Sequence, residues 1–492
     1  MLFMKDLDQI LHGLTVEKVM GAGNNPVPAI QFDSGKVKPG HLFVAIRGTQ
    51  ADGHDYIQDA ILNGARIIVC EKLPESKQQG VVYVKVENTS ELLGRMVCNF
   101  FDHPSSKLKL IGITGTNGKT TTATLLYGLF KNLGFKTGLI STIKNYIHNV
   151  ASETTYTTPD TIQINSLLNE MLKQGCEYCF IEVSSHALSQ NRTAGLQFAG
   201  GIFTNLSHDH LDYHRNFHEY LKTKQKFFDE LDIKAFALTN ADDRNGKIVI
   251  QNTKAWTKTY AMKTLADFKC KVIESHFDGM FLNIDNTELW TRFVGEFNAY
   301  NILAVYATAM LLDQEQVEIL KTLSNLKSVP GRFEILKLKG GITAIVDYAH
   351  TPDALTNVLR TINRIRQKNQ LLITVVGAGG DRDKTKRPLM AKVAVEKSDK
   401  LILTSDNPRT EDQDIIFADM LKGVERKYNS KVIMINNRGE AIKTAGLMAQ
   451  KDDIILVAGK GHESYQEIDG VKHHFDDREM IREMFRNNGI EE

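Results

Sequence analysis

The feature that most constrains the fold of this chain is a strand, a glycine-rich loop and a helix in direct succession. Residues 108–121 read LKLIGITGTNGKTT, and apolar residues then recur at helical spacing from Leu125 to Phe130. Glycines let backbone N–H groups close around phosphate oxygens, and the N-terminus of a helix adds partial positive charge. The sequence therefore predicts a phosphate-binding loop inside a parallel α/β unit.

The loop departs from the standard P-loop spacing, because Ile113 stands five residues before Gly118, where that motif has a glycine. Lys119 is placed to reach the β- and γ-phosphates of a nucleotide, and the Thr120 hydroxyl to bind Mg²⁺. The alternative is an ordinary glycine-rich turn, which Lys-Thr-Thr at a helix start disfavours. The loop residues predicted to bind the nucleotide are Gly115, Thr116, Asn117, Gly118, Lys119, Thr120 and Thr121.

Breaks in the apolar pattern divide the chain into three blocks, as 492 residues at roughly 100–200 per domain suggest. Pro and Ser interrupt the pattern at 102–107 (DHPSSK), and 328–332 (SVPGR) has the character of a hinge. We predict an α/β chain of three domains. These are a small α/β domain at 1–104, a central parallel-sheet ATPase domain of the P-loop type at 105–330, and a C-terminal Rossmann-like α/β domain at 331–492.

Composition excludes some classes of function. The formal net charge is +1, which favours neither a nucleic-acid partner nor a membrane surface. No apolar run approaches the roughly 20 residues that span a bilayer, and the acidic N-terminal segment is predicted to be an amphipathic helix rather than a signal peptide. Five cysteines are an odd number, and Cys176 and Cys179 precede an apolar run, so we expect buried, reduced thiols and a cytoplasmic protein.

Polar clusters follow most of the apolar strands predicted in the second and third blocks. In open parallel sheets ligands bind at the carboxyl ends of the strands, so we expect two such rims to face each other across a cleft. Glu182 ends one strand and could ligate Mg²⁺, which prefers oxygen. The histidines and carboxylates of 208–214 indicate either zinc or a phosphate-handling site, although their spacing fits no common zinc motif.

The segment TGTNGKTT (114–121) resembles the corresponding loop of the Mur ligase family. Further segments extend the resemblance from Asp33 to Glu463. The resemblance implies ATP and Mg²⁺, with Glu182 and His210 at the metal ions. It also implies that Lys224 carries a carbamate derived from CO₂, which would turn a cation into an oxygen ligand. The alternative is a plain solvated lysine run with Lys222 and Lys226. Lys119, Lys224 and His210 are the catalytic residues that the resemblance implies.

Two further segments resemble the family at the nucleotide. The segment 295–301 (GEFNAYN) resembles its GxxNxxN motif, and Thr351-Pro352 after DYAH is a good helix start. A third domain that closes over the nucleotide would exclude water from a readily hydrolysed acyl-phosphate. The further ATP contacts implied are Asn298, Asn301, Arg332, Asp347 and His350.

The first block resembles the uridine-binding domain of the family's muramyl tripeptide synthetases, although it has DSG where they usually have DSR. Gly35 therefore removes a cation from that segment. Arg192 would supply a cation for an anionic substrate. The contacts implied for a UDP-muramoyl-dipeptide are Ser34, Thr49, Thr157, Thr158, Ser184, Gln190 and Arg192.

The segment DNPR (406–409) resembles the form that selects meso-diaminopimelate. That amino acid carries a second carboxylate which an arginine can bind bidentately, and plain lysine would leave a buried Arg409 unpaired. Glu463 is expected to face the amino end of this substrate. The implied contacts are Arg382, Asp406, Asn407, Pro408, Arg409, Gly459 and Glu463.

Together these segments imply a monomeric ligase of peptidoglycan precursor synthesis. It would join meso-diaminopimelate to UDP-N-acetylmuramoyl-L-alanyl-D-glutamate through an acyl-phosphate, with ADP formed. Three alternatives remain open: a lysine-adding ligase, a folylpolyglutamate synthase-like ligase, and a nucleotide-gated switch. The switch would turn over ATP without forming an amide, and the folate-type enzyme would lack the first block and DNPR.

Overall fold

The computed structural model describes residues 4–21, 26–48, 51–154, 156–207, 209 and 213–487. In these residues the chain forms three main β-sheets, and helices cover the faces of each sheet. The fold class predicted from the sequence, an α/β chain of three domains with largely parallel sheets, is confirmed.

The N-terminal sheet has five strands in the order β1-β5-β4-β3-β2, and only β1 runs antiparallel to its neighbour. Its four parallel strands coincide with apolar runs of the sequence near 30, 42, 67 and 82. The strands are β1 (Lys18–Met20), β2 (Ile30–Gln31), β3 (Leu42–Val44), β4 (Ile67–Cys70) and β5 (Val82–Lys85). The helices are α1 (Leu7–Ile10), α2 (Ile57–Leu62) and α3 (Thr89–Phe100).

The predicted N-terminal amphipathic helix is shorter than its apolar pattern indicates. Of the described residues in this N-terminal segment, only Leu7–Ile10 is helical, and both ends of that helix are buried in the sheet's core. Gly13 then adopts φ +69°, which ends the helical course of the chain. The segment therefore packs on its own domain.

The central sheet has eleven strands and carries the phosphate loop near its middle, between β6 and α4. The strands from β7 through β10, β6, β11 and β12 to β13 are parallel. The strands are β6 (Lys109–Thr114), β7 (Thr137–Ile140), β8 (Asn145–Ile147), β9 (Val150–Ser152), β10 (Tyr178–Glu182), β11 (Gly200–Phe203), β12 (Phe236–Asn240), β13 (Trp256–Ala261), β14 (Phe268–His276), β15 (Gly279–Ile284) and β16 (Thr287–Thr291). The helices are α4 (Lys119–Asn132), α5 (Thr161–Lys173), α6 (Ser185–Ser189), α7 (Phe217–Asp229), α8 (Gly246–Val249), α9 (Glu296–Leu311) and α10 (Gln316–Asn325).

Antiparallel hairpins extend both edges of the central sheet, which the expected alternation of strands and helices did not include. At one edge β8 and β9 follow β7, and at the other β15 and β16 follow β14. Asp285 and Asn286 both have positive φ, at 45° and 68°, and so form the tight turn between β15 and β16. This Asp-Asn pair was the available sequence signal for that hairpin.

The C-terminal sheet has six strands in the order β17-β18-β22-β19-β20-β21, with β17 as the antiparallel edge. Four of its parallel strands coincide with apolar runs of the sequence near 343, 371, 400 and 454. The strands are β17 (Glu334–Lys337), β18 (Thr343–Asp347), β19 (Leu372–Val376), β20 (Lys400–Thr404), β21 (Val432–Ile435), β22 (Ile454–Ala458), and a separate hairpin of β23 (Tyr465–Ile468) and β24 (Val471–His474). The helices are α11 (Pro352–Ile365), α12 (Lys386–Lys397), α13 (Gln413–Leu421), α14 (Arg438–Met448) and α15 (Asp477–Asn487).

Short 3₁₀ turns connect several of these elements. They are Ser34–Lys36, Gly53–Tyr56, Pro104–Ser106, Lys339–Gly341 and Arg426–Lys431. The turn at 104–106 lies in the predicted linker, where the Ser105 hydroxyl accepts a 3.0 Å hydrogen bond from Gln197 N. The linker therefore packs on the central domain.

Apolar clusters fill both faces of each main sheet. On the central sheet Leu126 and Phe180 belong to one face and Ile164 and Phe228 to the other. Since both faces are covered, polar side chains that must meet a ligand lie at the carboxyl ends of the strands.

The expected state of the cysteines is confirmed, because all five are buried and free. Within the described ranges, no helix has both the length and the apolarity to cross a membrane.

Candidate active site

The phosphate loop is shaped by two glycines with positive φ, Gly115 at +148° and Gly118 at +87°. A Cβ on Gly115 would lie 1.9 Å from the Thr204 hydroxyl, and one on Gly118 would lie 2.5 Å from Asn301 Oδ1. A side chain at either position would therefore collide with a fixed neighbour. The N–H groups of Thr116 and Asn117 donate to Asn205 at 2.8 and 2.9 Å, so the N–H groups available to an anion are those of the first turn of α4, which includes Thr121.

Lys119 begins α4 and turns its amino group back onto the loop. Its Nζ donates hydrogen bonds of 2.8 Å to the carbonyl oxygens of Gly115 and Thr116. Burial lowers the pKa of Lys119, while the nearby charges of Glu182 and Asp209 act in the opposite direction. The ammonium lies where an anion bound by the loop would pair with it.

Glu182 ends β10 beside the loop and is fully buried. Its Oε2 accepts hydrogen bonds from the hydroxyls of Thr120 at 2.9 Å and Thr142 at 3.2 Å, and Oε1 accepts one from Thr142 N at 2.8 Å. Burial raises the pKa of Glu182, and the charge of Lys119 and these donors oppose the rise. A hydroxyl and a carboxylate in contact form a pair of hard oxygen donors that suits Mg²⁺.

Lys224 lies on α7 on the other side of the loop and is 1% exposed. Its Nζ donates to Gly115 O at 3.0 Å and to Thr114 Oγ1 at 3.3 Å. Burial first, and the charge of Lys119 second, hold its pKa well below the ordinary value for lysine. The fully exposed lysine run considered above is therefore wrong for Lys224, although Lys222 and Lys226 are exposed.

Tyr220, one helical turn before Lys224, completes this side of the loop. The Lys224 ammonium lies 4.8 Å from the centre of its ring, and its hydroxyl lies 3.1 Å from Thr116 Oγ1. Asp209 is buried nearby. His210 lies outside the described residues, and in the part of the chain that the structure describes no cluster of three or more His, Cys, Asp or Glu side chains forms a ready metal cage.

Side chains of the C-terminal domain reach the phosphate loop. Arg332 Nη2 donates to Thr120 Oγ1 at 3.2 Å, and its guanidinium stacks 4.3 Å from the centre of the Tyr348 ring. Asn117 Nδ2 donates to Asp353 Oδ2 at 3.1 Å. The loop is thus held from two domains.

Asp347 and His350 are fixed beside Arg332 at the end of β18. Asp347 accepts backbone hydrogen bonds from Phe333 at 2.7 Å and Ala349 at 2.8 Å, and burial raises its pKa to about 6. His350 Nδ1 lies 2.7 Å from Tyr348 O, and burial lowers its pKa to about 4. The imidazole of His350 is therefore neutral at pH 7.

The two asparagines of the GxxNxxN-like segment are buried in the first turns of α9. Asn301 Nδ2 donates to Asn298 Oδ1 at 3.2 Å, and Asn298 Nδ2 donates to Val294 O at 2.9 Å. This chain of hydrogen bonds fixes the amide of Asn301 against Gly118.

A second group of predicted residues is joined by hydrogen bonds at the end of β10, next to Glu182. Thr158 Oγ1 donates to Glu182 O at 2.7 Å, and Ser184 N donates to Thr158 Oγ1 at 3.0 Å. Arg192 donates to Thr158 O at 2.7 Å and to Gln190 Oε1 at 2.6 Å. Thr157 joins the group through a 3.1 Å hydrogen bond between its hydroxyl and that of Thr142.

Ser34 lies in the 3₁₀ turn after β2, on the N-terminal domain. Asp33 Oδ1 caps the turn by accepting from Gly35 N at 3.1 Å, and Asn63 Nδ2 donates to Ser34 O at 3.0 Å. Thr49 lies outside the described residues.

A third group is built at the carboxyl ends of β20 and β22. Asn407 Nδ2 donates to Glu463 Oε2 at 2.9 Å, and Gln466 Nε2 donates to Asp406 O at 2.7 Å. Gly459 has φ +116°, and a Cβ there would lie 2.5 Å from Asp406 Oδ2. The two strand ends therefore approach each other closely.

Arg409 has φ +54°, an unusual backbone conformation for a residue with a side chain. Its Nη1 donates to Gly380 O at 2.7 Å, and Nε lies 3.4 Å from Glu467 Oε2. A Cβ on Gly379 would lie 3.1 Å from Arg409 Nη1 and 3.8 Å from Arg382 Cγ, so both arginines flank this loop, as does Pro408 through its carbonyl at Gly380. The expectation that lysine would leave Arg409 unpaired is wrong, because Gly380 and Glu467 of the protein itself already contact the guanidinium.

Sequence reasoning missed several residues that hold the site. Tyr220 was detectable from its four-residue spacing to Lys224 on one helix, and Thr142 from its place after β7. Asp353 had no comparable local signal, because its partner Asn117 is distant in sequence.

The three sheets and the polar rims define an α/β protein whose glycine-rich loop, predicted to bind phosphate, contacts side chains of the C-terminal domain. Residues 26–101 match the family described as "Mur ligase family, catalytic domain", 113–309 the "Mur ligase middle domain", and 331–461 the "Mur ligase, glutamate ligase domain". This chain belongs to the Mur ligase family.

Relatives match this sequence along nearly the whole chain. A protein of Phocaeicola vulgatus is 55% identical over 98% of this chain and 99% of its own length, and one of Clostridioides difficile is 40% identical over 97% and 99%. Both are named UDP-N-acetylmuramoyl-L-alanyl-D-glutamate–2,6-diaminopimelate ligase. A solved structure with the same name is 31% identical, has a TM-score of 0.69, and covers 99% of both chains.

Proposed function

We propose that this ligase joins meso-diaminopimelate to UDP-N-acetylmuramoyl-L-alanyl-D-glutamate with hydrolysis of ATP to ADP and phosphate. The observation that carries the proposal is one chain holding both a phosphate loop flanked by Lys119 and Glu182 and a separate pocket with Arg409 and Glu463. Relatives named for this reaction, aligned over nearly the whole chain, support it.

The phosphates of ATP bind the loop from Gly115 to Thr121 and the ammonium of Lys119. Arg332 contacts the loop from the C-terminal domain and adds positive charge. Asn298, Asn301, Asp347 and His350 surround the nucleotide. The C-terminal domain then limits the access of water to the reacting group.

Thr120, Glu182 and His210, with a carbamate on Lys224, would hold Mg²⁺, which offsets charge on the phosphoryl oxygens. Burial supports the carbamate, because a lowered pKa increases the fraction of neutral amine, the form that can attack CO₂. That reaction forms an N–C bond and releases one proton. Tyr220, stacked over Lys224, keeps the amino group directed at the loop.

The reaction proceeds in two steps. The side-chain carboxylate of the D-glutamate attacks the γ-phosphorus of ATP, the bond to the β,γ-bridging oxygen breaks, and ADP leaves. The amine of the incoming amino acid then attacks the acyl carbon, phosphate leaves, and the nitrogen loses a proton. Lys119 and Arg332 stabilise the negative charge that accumulates on the transferred group.

The UDP-muramoyl-dipeptide binds between the N-terminal and central domains. Ser34 and Thr49 contact the uridine nucleotide, and Gly35 contributes no cation there. Thr157, Thr158, Ser184, Gln190 and Arg192 bind the muramoyl-dipeptide. Their mutual hydrogen bonds place Arg192 beside the strand that ends in Glu182, near the phosphate loop.

Diaminopimelate binds the third group, formed by Arg382, Asp406, Asn407, Pro408, Arg409, Gly459 and Glu463. Glu463 binds the ammonium that does not react, which lysine also carries. Arg409 binds the second carboxylate, which lysine lacks. Gly380 and Glu467 hold the guanidinium in place before the substrate binds. The preference for diaminopimelate over lysine then comes from a charge-assisted contact for which the arginine is already positioned.

We further propose a cytoplasmic monomer with no nucleic-acid or membrane partner. The near-neutral charge and the five buried, free cysteines support this setting.

The test is ADP release from the full-length protein with UDP-N-acetylmuramoyl-L-alanyl-D-glutamate, ATP and Mg²⁺. Meso-diaminopimelate or L-lysine is added in parallel, and the mass of the product is determined. We expect turnover and an amide product with diaminopimelate. Turnover with lysine alone would keep the family and contradict Arg409 as the selector. ATP turnover without amide formation would contradict the proposal, and folate-type substrates would be tested next.

A further inference from the structure

Lys460 is a fully buried cation between two glycines at the carboxyl end of β22. A Cβ on Gly461, at φ +54°, would lie 2.6 Å from Gly331 O and 2.7 Å from Tyr348 Cβ. Together with the close approach at Gly459, this leaves the backbone no room for side chains on either side of Lys460. The Gly-Lys-Gly sequence is therefore fitted to a place where only the lysine side chain enters the interior.

The Lys460 ammonium closes a triangle of hydrogen bonds. Its Nζ donates to Asn407 Oδ1 and to Glu463 Oε2, both at 3.0 Å, and Asn407 Nδ2 donates to the same Glu463 oxygen at 2.9 Å. Asn407 Oδ1 also accepts from Glu467 N at 3.0 Å. The amide oxygen of Asn407 therefore accepts from Lys460 and Glu467, and its nitrogen donates to Glu463. These contacts fix the orientation of the amide.

The two carboxylate oxygens of Glu463 accept hydrogen bonds of different length. Oε2 receives the two strong donors, whereas Oε1 accepts a longer hydrogen bond, at 3.5 Å, from the Tyr348 hydroxyl. A cationic group arriving in the pocket would compete more easily for Oε1. A buried lysine without such partners would be strongly destabilising, so the arrangement is fixed as a unit.

We propose that Lys460 is a positioning residue for the incoming amino acid, holding Asn407 and Glu463 so that Oε1 of Glu463 faces the substrate ammonium. This inference rests on the proposed function, since it concerns the pocket assigned to diaminopimelate. Lys460 itself donates to protein atoms and acts through Glu463.

The positioning role of Lys460 should depend on pH, because the charges around Glu463 shift the pKa of its carboxyl group. Burial raises the pKa of Glu463, Asp406 adds to the rise, and Lys460 is the first charge that opposes it. Removal of Lys460 would therefore let the carboxyl take up a proton at higher pH and lose its attraction for an ammonium. The titratable and charged groups that face Glu463 are Lys460, Asp406, Tyr348, Tyr465 and Arg438.

The experiment compares wild type, Lys460→Met, Glu463→Gln and the double variant as full-length proteins. We expect Lys460→Met to raise KM for diaminopimelate at least about tenfold, while KM for ATP and for the UDP-linked substrate stay within about twofold. The acid limb of kcat/KM for the amino acid should move to higher pH. In the Glu463→Gln background the same change should have a much smaller effect, because the group it positions is already altered.

Two results would overturn the inference. One is an equal loss for all three substrates together with a lower thermal midpoint, which marks Lys460 as a purely structural cation. The other is independent effects of the two substitutions in the double variant.

Calorimetric binding of diaminopimelate and of lysine to wild type and Lys460→Met separates this inference from the proposed function. Wild type that binds and uses lysine would contradict the proposed substrate, and the Lys460 effect would still be measured with lysine. Wild type that binds neither amino acid would overturn both.

Discussion

The Thr120 hydroxyl donates a 2.9 Å hydrogen bond to Glu182, joining the first turn of the phosphate-loop helix to a fully buried carboxylate at the end of the neighbouring strand. The two residues lie 62 positions apart in sequence. Parallel pairing of β6 with β10 brings them together, because strands that run the same way end at the same edge. The contact sets a hydroxyl and a carboxylate where Mg²⁺ and phosphate would meet.

Glu182→Gln tests this contact with little change in shape. The amide keeps the volume but loses the charge that a divalent cation requires, so we expect kcat to fall on the order of 100-fold or more. Glu177→Gln, an exposed change just before the same strand, is the matched control and should leave kcat within about twofold. Steady-state ADP release across a Mg²⁺ titration measures both. Equal activity of Glu182→Gln and wild type at saturating Mg²⁺ would count against Glu182 as a metal ligand.

Lys224 is predicted to carry a carbamate, and its burial beside Lys119 supplies the reason. A pKa held well below the ordinary value increases the fraction of neutral amine, which is the form that reacts with CO₂. With ¹³C-bicarbonate we expect a carbamate resonance in wild type and Lys222→Ala, and none in Lys224→Ala. Activity should fall at least about 100-fold in Lys224→Ala and stay near wild type in the exposed Lys222→Ala. A carbamate signal that survives in Lys224→Ala would place the modification elsewhere.

Gly118→Ala should impair ATP binding. The alanine Cβ would lie 2.5 Å from Asn301 Oδ1 at a backbone φ of +87°, so the loop or α9 must move. Gly134, at the other end of the same helix, has φ +98° and nothing within 4 Å of its added Cβ. Both alanines cost about 1 kcal/mol of backbone strain, but only Gly118→Ala should raise the Kd for ATP more than about tenfold. Similar affinities for ATP in the two variants would contradict the assignment of the loop.

Helices and strands were predicted from the sequence where one local apolar pattern determines them. The prediction failed where contacts between residues distant in sequence determine the structure. The strand–loop–helix at 108–132 and the parallel strands of all three sheets followed from local periodicity and glycine placement. The short α1 and the added hairpins at the edges of the central sheet depended on burial and on pairing with neighbouring strands.

The site shows the same limit. Residue types at strand ends predicted that Glu182 lies near the loop of Lys119, the family resemblance added Lys224, and the structure brings all three around one loop. The partners of Arg409 could not be predicted, because Gly380 lies in the loop after β19 and Glu467 lies on strand β23, both distant from it in sequence. Tertiary contacts of that kind leave no periodic trace in the sequence.

Stability at acid pH should depend on His462, whose Nδ1 is buried without a hydrogen-bond partner. Burial lowers its pKa to about 3, whereas the unfolded chain takes up the proton near the ordinary value of 6.5. The unfolded state then binds more protons, so stability is lost as pH falls below 6.5, by up to about 2 kcal/mol at pH 5. In His462→Gln the thermal midpoint should fall less between pH 7.5 and about pH 5 than in wild type. Parallel slopes for the two proteins would rule out this contribution.

The most direct test of the proposed reaction is a competition assay. Wild type and Arg409→Met are given equimolar meso-diaminopimelate and L-lysine with ATP, Mg²⁺ and the UDP-muramoyl-dipeptide, and the products are separated by mass. We expect wild type to form the diaminopimelate product almost alone, and Arg409→Met to lose the preference by on the order of 100-fold, because the charge-assisted contact to the second carboxylate is gone. A lysine product from wild type, or an unchanged preference in Arg409→Met, would contradict the proposed substrate or the role of Arg409.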